Sequence, residues 1–251
     1  EGWAIELDVQ LEHGGNNLVS FPLQVENNSL DNIFGTEGPV YKVTSDRGIA
    51  AQLVNGQWVG SGADSGIDPY KAYWVTIPEG GSSQAHTISI VGSSIEGDTY
   101  ELHPEVPNSS QGINFISYDG LEPVQAGCLL QGVNQLDFII GDGSAIIWCD
   151  PEGITNSEGG LFYCPEGVEW LGNTNSLIKP GTGYIVKHRH QTSNLFQWPQ
   201  VSNADCAGTY SDVNWTLPEN HHNMNLMAIK DYLLSQVPST LPQRRTPRRR
   251  R

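Results

Sequence analysis

Gly15-Asn16-Asn17-Leu18-Val19-Ser20-Phe21 returns later in the same chain as Gly112-Ile113-Asn114-Phe115-Ile116-Ser117-Tyr118. Both stretches are short apolar runs behind a Gly/Asn turn, the pattern of a buried β-strand. Two further blocks recur in the same order. Gln57-Trp58-Val59-Gly60-Ser61 matches Glu169-Trp170-Leu171-Gly172-Asn173, and Ile67-Asp68-Pro69-Tyr70-Lys71-Ala72-Tyr73-Trp74-Val75 matches Ile178-Lys179-Pro180-Gly181-Thr182-Gly183-Tyr184-Ile185-Val186. One such block arises easily by chance, whereas three in order indicate internal duplication. The expected organisation is therefore two tandem modules, at 5–92 and 97–198, then a partial third unit at 199–234 and a disordered basic tail at 235–251.

The expected fold class is mainly β. Tyr73 to Ile77 and Tyr184 to Lys187 follow Pro-containing turns and are rich in aromatic and β-branched residues, so both read as strands. The 28 Gly and 15 Pro, with no long helix-period pattern, predict many short elements joined by turns. Ser29 ahead of Leu30-Asp31-Asn32-Ile33-Phe34 and Gly35 predicts a capped helix of one or two turns.

The copies are unequal. The stretch from Gly112 to Trp170 is longer than that from Gly15 to Trp58, and the surplus falls around Cys149 to Cys164. A loop inserted in the second copy and closed by Cys149–Cys164 would account for it. Such a closure contributes roughly 3 kcal/mol for a loop of about 15 residues. Cys128 and Cys206 would then pair and tie the second copy to the segment after it. Four cysteines allow three connectivities, and four reduced, buried thiols are the alternative. If the bridges form, the compartment is oxidising.

Charge is segregated. The net charge is −15, but six of the thirteen basic residues are the arginines at 244, 245 and 248–251, leaving 7 basic against 28 acidic side chains, or −21, on the rest. Such a body repels nucleic acid and anionic membranes, and no apolar stretch approaches the ~20 residues of a membrane helix. No specific nucleic-acid partner and no membrane insertion are expected. The chain opens at Glu1 without an initiator Met, as a processed chain or a piece of a longer one would.

Together the blocks resemble a tandem module of marine bacterial cell-surface proteins and of virion or tail-associated proteins of marine phages, cyanophages among them. The resemblance rests on Gly15 to Phe21, Gly48-Ile49-Ala50-Ala51, Trp58-Val59-Gly60-Ser61 and Pro69 to Val75. The second copy departs from it at Ile113, Asn173 and Ile185. It implies an extracellular, cell-surface or virion setting, with other protein subunits of an assembly as partners, and it implies no particular ligand.

Convergent chemistry is scarce. Asp64-Ser65-Gly66 has the form of an aspartic-protease motif, but that mechanism needs a second carboxylate sharing a proton, and the matching stretch near Asn175-Ser176-Leu177 has no Asp. His188 and His190 would share a strand face, with a solvated strand end as the plainer reading. His221-His222 lies in a polar loop. Asp142, between Gly141 and Gly143, is a calcium-ligand candidate without the spaced acidic set of a known loop. No cofactor is expected, and the chain is read as no enzyme. Trp58 and Tyr73 recur as Trp170 and Tyr184, which points to packing. Tyr70 and Trp74 do not recur as aromatics and are the candidate ligand-binding residues. A structural or adhesive role is the expectation. A carbohydrate-binding module using exposed aromatics is the alternative, and a hydrolase comes third.

Overall fold

The computed structural model describes residues 4–11, 15–46, 50–78, 86–103, 112–142, 144–150, 154–155, 161–162, 169–189, 195–202 and 206. Most of the expected third unit, all of the basic tail, Cys164, His190, His221 and His222 lie outside them. The fold is mainly β, with several antiparallel sheets and, among the described residues, two short helices.

The first half contributes β1 (Ile5–Leu11), β2 (Gly15–Ser20), β3 (Leu23–Gln24), α1 (Leu30–Phe34), β4 (Lys42–Thr44), β5 (Ala50–Val54), β6 (Gln57–Val59), β7 (Ala72–Ile77) and β8 (His86–Ser94). The second half opens with β9 (Tyr100–Glu101), β10 (Ile113–Ser117), β11 (Val124–Gln125), α2 (Ala126–Leu129), β12 (Leu136–Gly141) and β13 (Ser144–Trp148). It continues with β14 (Ile154–Thr155), β15 (Leu161–Phe162), β16 (Trp170–Gly172), β17 (Leu177–Ile178), β18 (Gly183–His188) and β19 (Leu195–Phe196).

Each half builds a five-stranded antiparallel sheet in the same order. The first runs β2-β7-β4-β5-β6 and the second β10-β18-β12-β13-β16. The first module also carries β1-β8-β3, whose counterpart in the second is the short β9–β19 pair. Each sheet buries one face in its own core. One core gathers Val19, Phe21, Val43, Tyr73 and Val75, and the other Ile116, Ile139, Tyr184, Val186 and Trp198. Trp198, fully buried, sits edge-on to Phe196 at 5.2 Å and to Tyr118 at 5.4 Å, a geometry that aromatic quadrupoles favour.

The recurring residues perform the same jobs twice. Trp58 Nε1 donates to the Gly35 carbonyl at 3.0 Å, and Trp170 Nε1 to the Leu130 carbonyl at 2.9 Å. Gly35 and Leu130 are the C-terminal caps of α1 and α2, so each tryptophan satisfies a carbonyl that a helix end leaves without an internal partner. Tyr73 Oη accepts from the Asp68 N–H and Tyr184 Oη from the Lys179 N–H, both at 2.7 Å. Ser29 caps α1, its Oγ accepting from the Asn32 N–H at 3.3 Å.

The copies differ where β5 meets β6. There Asn55-Gly56, at φ 51° and 76°, makes the two-residue turn that a twisted hairpin favours. The equivalent β13-to-β16 connection runs from Cys149 to Glu169 and contains the paired β14 and β15. Cys128 and Cys206 form a disulfide with Cα atoms 5.4 Å apart. Cys149 is buried and disulfide-bonded as well.

Gly60 and Gly172 mark the tightest backbone approach in each copy. Both have positive φ (129° and 111°), and a Cβ would lie 2.4 Å from the Ala50 oxygen and 2.2 Å from the Ala145 oxygen. Gly60→Ala and Gly172→Ala should each cost about 3 kcal/mol in urea denaturation, from backbone strain plus overpacking. Gly56→Ala, at φ 76° with nothing within 4 Å, should cost only about 1 kcal/mol.

Candidate functional site

The two modules meet through reciprocal contacts. Ser20 N–H donates to the Gly181 carbonyl, and Ser117 N–H donates to the Tyr70 carbonyl, each at 3.0 Å. Ser20 and Ser117 are equivalent in the duplication, as are Tyr70 and Gly181. Two isolated β-bridges obey the same exchange, Val19 with Thr182 and Ile116 with Lys71. A contact of i with j repeated as j with i is the signature of a two-fold relation. Ala72 and Gly183, also equivalent, face each other there, since a Cβ on Gly183 would fall 2.7 Å from that of Ala72.

This arrangement decides the place of Tyr70. Its ring stacks on Tyr100 of the second module at 5.4 Å and 27°, and its hydroxyl donates to Asp98 Oδ2 at 2.7 Å. Its partly buried side chain packs against the second core. Gly181, its counterpart, abuts Val9 of β1, 3.4 Å from where its Cβ would be. The turn of each module thus presses on the first strand of the other. The Tyr70 hydroxyl is pushed up to about 12, first by burial and then by its bond to Asp98 and the nearby charges of Asp98, Asp68 and Asp119.

Trp74 lies elsewhere, half-buried on the outer face of the first sheet, with Leu18 and Thr44 directly across from it. Among the described residues no ring contact joins it to Tyr70, so the two do not form one stacking platform.

The first module has a concavity of its own. A cleft of about 170 Å³ has Leu30, Val43 and Ala51 among its apolar lining, and Ser65, Asp68 and Lys71 among its polar residues. Ligand pockets ordinarily run about 300–1,000 Å³, so this one is small. Its polar groups also serve the turn that carries Tyr70, because Asp68 Oδ1 accepts from the Tyr70 N–H at 3.0 Å and the Lys71 N–H donates to the Asp68 carbonyl at 3.1 Å. In the second module Ile139 and Ile146 stand where Val43 and Ala51 stand in the first, and Lys179 stands in place of Asp68.

The remaining candidates fall into structural places. Asp64 is exposed in a turn, and Ser65 N–H donates to the Gly62 carbonyl at 3.3 Å. The Asp142 carboxylate takes an ion pair from Lys179 Nζ at 2.6 Å. His188 is fully buried rather than at a solvated strand end, because β18 runs between β10 and β12 and pairs it with Leu136. Among the described residues no three His, Cys, Asp or Glu side chains converge to hold a metal ion. Comparison with known proteins finds no matching family model, no matching curated protein and no matching solved structure.

One group at the junction escaped sequence reading. Asp119, 1% exposed, accepts from the Gly97 N–H of the inter-module turn at 3.0 Å through Oδ2. Its pKa is raised from 3.8 to about 6, chiefly by burial, with the charges of Glu96 and Asp98 adding to the rise against two backbone N–H groups. A carboxyl whose folded pKa is raised favours folding most when protonated. Its contribution is complete below about pH 4 and is lost as pH climbs through about 6. Asp119→Asn should therefore be more stable than the parent at pH 7.5, by an amount on the order of 2 kcal/mol. The gap should shrink as pH falls through 6 and close below about pH 4, as followed by urea midpoints across that range. A gap independent of pH would contradict this account of Asp119.

Proposed function

We propose that the chain is a non-enzymatic structural or adhesive block of an extracellular, cell-surface or virion assembly, in which two duplicated modules act as one stiff unit. The observation that carries this reading is the use of Tyr70. The candidate aromatic that lies in sequence between the cleft residues Asp68 and Lys71 is spent on the other module, stacked on Tyr100 and bonded to Asp98. Two reciprocal backbone hydrogen bonds add about 1 kcal/mol each net, and the aromatic stack about 1 kcal/mol beyond its buried area.

Further support comes from chemistry outside the junction. The Cys128–Cys206 disulfide fits an oxidising compartment, and the acidic body fits a surface that must stay soluble among other charged polymers. The resemblance to marine bacterial surface and phage virion modules points the same way. Its natural partners on this reading are other protein subunits of the assembly.

The second reading, glycan recognition, rests on Trp74, which keeps part of its ring exposed on a mostly polar sheet face. Sugar rings stack on such surfaces, but ordinarily on more than one. The two readings separate in a glycan-array screen of the oxidised chain, run beside Tyr70→Ala and Trp74→Ala. We expect no saturable binding by the parent and a lower melting temperature for Tyr70→Ala. Saturable binding to a defined sugar, abolished in Trp74→Ala at unchanged melting temperature, would replace the structural reading with recognition.

A further inference from the structure

The outer faces of the two five-stranded sheets carry opposite chemistry at the same register. Across the first sheet, directly paired residues run Asn16, Thr76, Lys42, Gln52 and Val59. Across the second, the equivalent row runs Ile113, Lys187, Phe138, Ile147 and Leu171. Directly paired residues share a sheet face, so each row lies on one surface. In the next row Thr44 and Ala50 of the first sheet face each other where the second has Ile140 and Ala145.

Burial follows the same division. Asn16, Lys42, Gln52 and Val59 are exposed. Ala145, Ile147 and Leu171 are 1%, 4% and 5% exposed, yet they belong to neither hydrophobic core. Both cores lie on the inner faces. Among the described residues, β13 packs substantially only on its own sheet neighbours β12 and β16. These three side chains are closed to water although no described strand outside their own sheet packs substantially on β13.

We infer that the outer face of the second sheet is a docking surface for this chain's own residues 207–234. The described chain ends at Cys206, which is disulfide-bonded to Cys128 of α2 and packs against the second core. That bond delivers the following segment to the second module rather than the first. The six residues 207–212 can span up to about 20 Å when extended, enough to pass from one side of a sheet to the other. Beyond them the sequence alternates apolar and polar at Val213, Trp215 and Leu217, then becomes strongly apolar through Leu226, Met227 and Ile229. A stretch too short to close a core of its own gains one by borrowing a sheet face. The first sheet, with Lys42 and Gln52 on its outer surface, offers no equivalent seat.

The test is photo-crosslinking in the full-length, oxidised chain. The photoreactive analogue p-benzoyl-phenylalanine replaces Phe138 in one variant, Ile140 in a second, and Lys42 in a control on the first sheet. Expected are intramolecular crosslinks from 138 and 140 to peptides within 207–234, with yields independent of protein concentration and none from 42. Three results would overturn the inference. These are crosslinks from both positions to 150–168 alone, crosslinks between chains that scale with concentration, and no crosslink from either position in protein whose melting temperature matches the parent.

Discussion

Backbone meets backbone where the two modules join, and that close approach governs much of what surrounds it. Ser20 and Ser117 each hand an N–H to a turn of the opposite module at 3.0 Å, which brings Ala72 against Gly183 with no room for a larger pair. Once the turns are seated there, the side chain at position 70 enters the second module, while position 181, at φ 80° and in contact with Val9, takes the backbone conformation that favours glycine. The contact also protects the sheets. β2 and β10 are the edge strands of their sheets, and exposed strand edges invite pairing with foreign chains. Each module covers the end of the other's open edge.

A junction of this kind restrains relative motion more than an ordinary linker would. Inter-domain contacts within a chain are usually modest and polar, and domain motion is the default expectation. Here the bridges Val19–Thr182 and Ile116–Lys71 are backbone pairings, and the turn between β8 and β9 is held by Asp119 through Gly97 and by Tyr70 through Asp98. The same crowding places a carboxyl where water cannot reach it. Stiffness and a buried acid have one origin, the tight packing of an acidic turn between two cores.

Much of this was legible in the sequence, for identifiable reasons. The repeat blocks at 15–21 and 112–118, at Trp58 and Trp170, and at Tyr73 and Tyr184 mark residues whose hydrogen bonds are made twice, so matching letters reported matching geometry. The short helix after Ser29 was readable from its cap. The place of Tyr70 was not readable. Its failure to recur looks like freedom to bind something, whereas the structure relates it to Gly181 through a junction whose two sides differ in bulk. The long antiparallel pairing of β1 with β8 joins residues far apart in sequence, and no local pattern announces it. The apolar outer row of the second sheet is scattered over five strands and becomes visible only once register is known. The burial of Asp119 arises from a turn of the preceding linker, which sequence spacing does not encode.

The order in which these contacts become available matters while the chain is being made. β1 pairs with β8, so the first module is complete once Ser94 has left the ribosome. Gly181, whose carbonyl takes the Ser20 N–H, is synthesised much later, after nearly the whole second module. At ordinary elongation rates the interval is roughly 4–17 s, long compared with the folding time of a small domain. Throughout it, β2 is an uncovered edge on a folded body. Only when the second module arrives do Val19 and Ser20, at the end of that strand, receive their partners Thr182 and Gly181.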